Sequence, residues 1–179
     1  MGVREDPVFE AFVRARSAAL LRTAYLLTGD RGGAEDLLQT ALLRSLRHWR
    51  KARSAPEAYV RRVLVNLCRD NWRRAATRPR ELPLLPGAES VCPVDGPADR
   101  IGQRRDLVSA LVLLPPGQRA VIVLRFVDDL SVAETAALLG ISHGTVKSYT
   151  SRAIATLRAA LADGEDDIER QSAEVHRAH

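Results

Sequence analysis

Apolar residues in the first half of the chain recur at intervals of three and four, the period of helices with one buried stripe. Asp6-Pro7 sets a capping residue before a proline at the first helical position, and Phe9, Phe12, Val13, Leu20, Ala24 and Leu27 form the stripe that follows. Gly29 ends this helix and Asp30 caps the next, whose Ala34, Leu37, Leu38, Ala41, Leu42 and Ser45 share one face. Ser54-Ala55-Pro56-Glu57 has the spacing of a capping box for a third helix, buried through Val60, Val63, Leu64 and Leu67.

The pattern then breaks. Five of the nine prolines fall between residues 79 and 97, and no helical or alternating period survives there. Residues 76–102 therefore read as a linker. Fully extended, it reaches roughly 90 Å. Helical spacing resumes with Leu107, Leu111 and Leu114 and stops at Pro115-Pro116. A helix follows from about Gly117 through Ala120, Val121, Val123, Leu124 and Phe126. Ser131-Val132-Ala133-Glu134 is another capping box, opening a short helix that ends at Gly140. Ser142 caps a last helix of about 143–162. The fold class is all-α: a three-helix unit over 7–75, the linker over 76–102 and a four-helix unit over 103–162. Residues 163–179 lack apolar periodicity and are expected to be a disordered acidic tail.

Composition narrows the classes. Of 179 residues 46% are hydrophobic but only 4% aromatic, so the core is aliphatic. No run is long enough and free enough of charge to span a membrane, and the charged N-terminus is no signal peptide. Two cysteines make neither a disulfide framework nor a zinc site. The expectation is a soluble, cytoplasmic chain without cofactor or metal. Net charge is +5, with 15 Arg/Lys against 8 Asp/Glu in residues 1–75 and 2 against 6 in residues 163–179. A basic first half points to a polyanionic partner, although 25 of the 27 basic residues are Arg, as a GC-rich genome would encourage.

Three polar faces carry candidate chemistry. On the second helix Asp36, Gln39, Thr40, Leu43 and Arg47 lie opposite the buried stripe; a leucine there is either a protein contact or a single exposed apolar residue. On the third helix Arg62, Asn66, Arg69 and Arg73 form a basic ridge, followed by Arg74 and flanked by Trp72. Guanidinium groups hold phosphates, an amide reads base edges and an indole stacks on an unpaired base; a solvated Arg face is the plainer reading. In the last pair of helices Ala136, Gly140 and Val146 have helix-turn-helix spacing, which leaves Thr145, Lys147, Ser148, Ser151 and Arg152 outward, as major-groove contact requires; an ordinary αα-hairpin is the alternative reading. His143 at the start of that helix touches phosphate or caps the helix.

These segments together resemble bacterial RNA polymerase sigma factors of the extracytoplasmic-function type, over about residues 8–162. Tyr25 to Trp49, with Leu27-Thr28-Gly29-Asp30 and Ala34-Glu35-Asp36-Leu37-Leu38-Gln39, resembles the core-binding part of sigma domain 2. Tyr59-Val60-Arg61-Arg62 through Asn66 to Arg74 resembles the part that handles the −10 element. Leu113-Leu114-Pro115-Pro116-Gly117-Gln118-Arg119, with Gly144-Thr145-Val146-Lys147-Ser148, resembles sigma domain 4. The resemblance implies that Asp36, Gln39, Leu43 and Arg47 meet core RNA polymerase at the β′ clamp helices, the β subunit being a further contact. It implies that Arg62, Asn66, Arg69, Arg73 and Arg74 engage the −10 element of promoter DNA, and that the loop Lys51–Ala55 captures a flipped base. It assigns His143, Thr145, Lys147, Ser148, Ser151 and Arg152 to the −35 element. An anti-sigma factor is a further partner class it admits.

Tyr149 stands where relatives often have Arg, and Tyr59 where many have Trp. A conventional helix-turn-helix repressor or activator would share the final hairpin, but leaves the second-helix face and the Arg/Asn/Trp ridge without use. An enzyme is disfavoured. Glu35 and Asp36 are adjacent on a helix and diverge, the four histidines lack metal or catalytic spacing, and Asp30-Arg31-Gly32-Gly33 lacks the lysine of a phosphate loop.

Overall fold

The computed structural model describes residues 6–77 and 107–177, with side chains described for 6–75 and 107–160. Every regular element among them is a helix: α1 (Pro7–Thr28), α2 (Arg31–Arg47), α3 (Trp49–Ala52), α4 (Pro56–Thr77), α5 (residues 107–113), α6 (Pro116–Phe126), α7 (Val132–Leu139) and α8 (His143–Arg177). Most boundaries follow from local chemistry. The Asp6 carboxylate accepts from the Val8 and Phe9 amides, and Gly29 ends α1 at φ 77°, in the left-handed region a side chain disfavours. Asp30 accepts from the Gly33 amide to start α2. Ser131 and Glu134 form the complete reciprocal box at the start of α7, and Gly140 closes that helix at φ 64°.

Four expectations need correction. The box at Ser54 does not form: α4 begins at Pro56, whose fixed φ suits the first helical position, so Ala55 stands at the cap. Glu57 instead pairs with Arg61 at 2.9 Å and with Arg16 at 3.3 Å. The first unit has a fourth, one-turn helix, α3, between α2 and α4. Leu107 is exposed, while Val108, Ala110, Leu111 and Leu114 enter the core. The acidic tail, expected to be disordered, continues the α8 backbone to Arg177. Its Glu, Gln, Ala and Arg residues favour helix, and a lone Gly164 costs only about 1 kcal/mol against propagation from a formed helix. The linker expected over 76–102 lies outside the described residues, except for residues 76 and 77 at the end of α4.

In the first unit α1 packs on α2, and α4 closes against both. Leu20, Ala24, Leu27, Ala34, Leu37, Leu38, Ala41, Val60, Leu64 and Leu67 are buried there as their spacing predicts. Trp49 is buried with its ring edge-on to Phe9 at 4.9 Å and near Phe12 at 5.6 Å, pinning α3 under the start of α1. In the second unit α6 is buried from Arg119 to Leu124, and α8 packs on α6 and α7 through Val146 and Ala153. The two units share one continuous apolar core: α6 packs against α1, and α7 against α4.

Candidate nucleic-acid interface

Burying the stripes turns three helix faces outward. On α2, Asp36, Gln39, Thr40, Leu43 and Arg47 are all exposed, opposite Ala34, Leu37, Leu38, Ala41 and Ser45. Leu43 is 61% exposed, a large apolar side chain held in solvent by a helix whose other face is locked into the core. The Ser45 hydroxyl donates to the Ala41 carbonyl at 2.7 Å, so it is satisfied inside its own helix.

On α4, Arg62, Asn66, Arg73 and Arg74 are exposed. Arg73 pairs with Asp70 one turn back, and this hydrogen bond, the largest cause, holds the Asp70 carboxyl below its ordinary range. Arg69 departs from the rest of the ridge. It is half-buried, and its guanidinium lies 4.0 Å from where a Cβ on Gly140 would stand. Trp72 is likewise half-buried against the core, so its indole is not a free stacking surface here. Between α2 and α4, Ala52 is buried while Lys51, Arg53, Ser54 and Ala55 are exposed. Trp49 anchors this loop, a role that periodicity alone does not assign to a single aromatic residue.

On α8, Val146 and Ala153 are fully buried, which leaves His143, Lys147, Ser148, Ser151 and Arg152 in solvent. Thr145 is half-buried; its amide donates to the Ser142 hydroxyl at 3.0 Å, and the two hydroxyls are 2.8 Å apart. Ser142 is therefore the cap of α8, and His143 is an exposed residue of its first turn. Tyr149 is half-buried with its ring edge over Gly117, 3.0 Å from the position a Cβ would take there. The residue that departs from the resemblance is thus used for packing between α8 and α6.

Among the described residues no group of three or more His, Cys, Asp or Glu could hold a metal ion. Cys68 is buried, and burial pushes its thiol up to about 12, with nearby Arg119 opposing, so it is no nucleophile at neutral pH. No helix among the described residues is long and apolar enough to cross a membrane.

Comparison with known proteins agrees with this geometry. Residues 12–78 match the family described as Sigma-70 region 2, and residues 104–157 match Sigma-70, region 4. The chain is 43% identical over 155 residues to the RNA polymerase sigma-E factor of Streptomyces coelicolor, covering 86% of this chain and 85% of that one. It is 37% identical over 158 residues to the ECF RNA polymerase sigma factor SigM of Mycobacterium tuberculosis, covering 86% and 76%. Among solved structures, CnrH in complex with the cytosolic domain of CnrY matches at TM-score 0.61 and 26% identity, over 87% of this chain and 88% of that one. The Bartonella quintana sigma factor RpoE, bound to the anti-sigma factor NepR, has the same fold at TM-score 0.61 and 24% identity, over 86% and 96%. With both sigma-70 regions in order and relatives this similar over most of their length, the chain belongs to the extracytoplasmic-function type of the sigma-70 family.

Proposed function

We propose that this sigma factor directs promoter-specific transcription initiation through three separate faces. Asp36, Gln39, Leu43 and Arg47 on α2 dock core RNA polymerase. Arg62, Asn66, Arg69, Arg73 and Arg74 on α4 engage the −10 element and hold melted non-template strand, with the loop 51–55 taking a flipped base. His143, Thr145, Lys147, Ser148, Ser151 and Arg152 on α8 contact the −35 element in the major groove. Sigma factors are regulators, and the chain's own role is recognition, without catalysis. It works in the cytoplasm, where polymerase and DNA are, and an anti-sigma factor is a further partner.

The observation that carries this reading is the pair of exposed cationic helix faces, on α4 and α8, beside a third exposed face on α2 that bears Leu43. Two weak DNA contacts on one chain reinforce each other, because binding at one element raises the local concentration of the other. A gel-shift titration of promoter DNA tests it. Sharp, sequence-specific binding requires added core polymerase if the chain is a promoter-specificity subunit. Equally sharp binding by the chain alone would instead mark a self-sufficient repressor or activator.

A further inference from the structure

We propose that Tyr149 is a positioning residue for −35 recognition: its ring, seated on Gly117, fixes the rotation of α8 and so the aim of Lys147, Ser148, Ser151 and Arg152, without itself touching DNA. The proposal rests on the assignment of α8 to the −35 element.

Those four side chains are exposed, so the helix that carries them sets their aim. The threonines of the same stretch bond within α8: Thr150 donates to the Val146 carbonyl at 2.9 Å and Thr156 to the Arg152 carbonyl at 3.2 Å. Beneath the reading face, the stripe that meets α6 and α7 runs through Val146, Tyr149 and Ala153. Val146 and Ala153 are fully buried and compact. At 3.6 residues per turn they stand only about 20° apart around the helix axis, and two compact contacts on one line let a helix roll about that line. Tyr149 stands about 60° round from Val146 and about 40° round from Ala153, so its flat ring lies to one side of the line and blocks the roll.

The ring has a shaped seat. A Cβ on Gly117 would lie 3.0 Å from Tyr149 Cε2. The glycines with positive φ are Gly29 and Gly140, so Gly117 is needed for space rather than for backbone conformation. The seat is also held firmly. Pro116 enters the first turn of α6 with its φ locked, and the Arg119 amide donates to the Pro115 carbonyl at 3.0 Å. The buried Arg119 side chain donates to the carbonyls of Leu27 at 3.1 Å, Val112 at 2.9 Å and Leu114 at 3.3 Å.

Small rotations matter here. Turning a helix by about 10° swings a group about 6 Å from its axis through about 1 Å, twice the roughly 0.5 Å window of good N–H···O distances. A recognition site built on one helix therefore depends on packing that holds the helix to better than that.

Discrimination by the holoenzyme tests this. The template is the promoter with the strongest start site that the wild-type chain and core polymerase select from a genomic pool. It is prepared intact, with its −35 element scrambled, or with its −10 element scrambled, and the intact-to-scrambled ratio of initiation measures each contact. Gly117→Val adds two methyl groups to a Cβ that already meets the ring. Tyr149→Ala and Gly117→Val should each lower the −35 ratio by about fivefold or more, the discrimination that a good base contact carries. Both should leave the −10 ratio at its wild-type value. Tyr149→Phe keeps the ring and should match wild type in both ratios. In the Tyr149→Ala background Gly117→Val should cost nothing further, because no ring remains to displace. A −35 ratio unchanged in Tyr149→Ala overturns the proposal. So does a Tyr149→Phe chain as impaired as Tyr149→Ala, which would make the hydroxyl a DNA contact. Equal loss of both ratios marks a ring that only holds the fold, and overturns it too. A wild-type holoenzyme indifferent to scrambling at −35 removes the −35 reading itself and the proposal with it.

Discussion

At the scale of single residues, the side chains least legible in the sequence are the charged ones inside. Arg119 sits in a segment that reads as part of a family motif, yet its work is to satisfy three carbonyls from two units. Burial pulls its pKa down, but a guanidinium stays charged, so removing it strands buried acceptors. Arg119→Met should lower unfolding stability by about 2–4 kcal/mol in urea titrations, whereas the exposed Arg62→Met should change it by less than about 0.5 kcal/mol. Asp128 gives a pH signature. Burial, the largest cause, pushes its carboxyl up, against the Thr23 hydroxyl, Arg61 from α4 and Arg22 from α1, which pull it down. Relative to the unfolded chain, the folded protein therefore holds this proton to higher pH. The stability linked to this group is fully present below the ordinary carboxylate pKa of about 3.9 and is lost as pH rises through the raised value. Asp128→Asn stays neutral, so wild-type stability minus variant stability should fall as pH rises from about 4. A difference that stays flat with pH would refute this linkage.

At the scale of elements, what the sequence makes legible is what local chemistry decides. Asp6, Gly29, Asp30, Ser131, Gly140 and Ser142 each act within a few residues of themselves, and the helix ends fall where they stand. Ser54-Glu57 has the same spacing but fails, because Glu57 finds Arg16 and Arg61, and one of those partners is distant in sequence. Helix α3 was not legible either: four residues are too few to show a period, and Trp49 owes its place to Phe9 and Phe12 on another helix. Trp49→Ala should cost about 3–5 kcal/mol of stability by calorimetry or denaturant titration, through the cavity left under α1. The outward faces of α2, α4 and α8 were legible because each is the complement of a buried stripe; the half-burial of Arg69 and Trp72 was not, because packing between helices distant in the chain imposes it. On α8, Lys147→Ala and Arg152→Ala should each weaken −35 duplex binding by about 1–3 kcal/mol if they read bases. On α4, Asn66→Ala and Arg73→Ala should leave that duplex binding intact and reduce promoter opening, as read by permanganate reactivity of unpaired thymines.

At the scale of the whole molecule, two helical units and a proline-rich break follow from hydrophobic period and proline placement alone. Their mutual packing does not, since no pattern within either unit encodes which surfaces meet. The shared core, Arg119 and Asp128 supply that information. The central claim is that the chain lends polymerase its choice of promoter through faces that act together. Run-off transcription with purified core polymerase and a genomic promoter pool, reading the 5′ ends by sequencing, tests this most directly. The account predicts a small set of start sites that share upstream −10 and −35 sequences and appear only when the chain is added. It also predicts that they vanish with Asp36→Arg or Gln39→Arg, because a reversed charge at a desolvated contact costs several kcal/mol. Start sites unchanged by adding the chain, or retained in full by both charge-reversed variants, would contradict it.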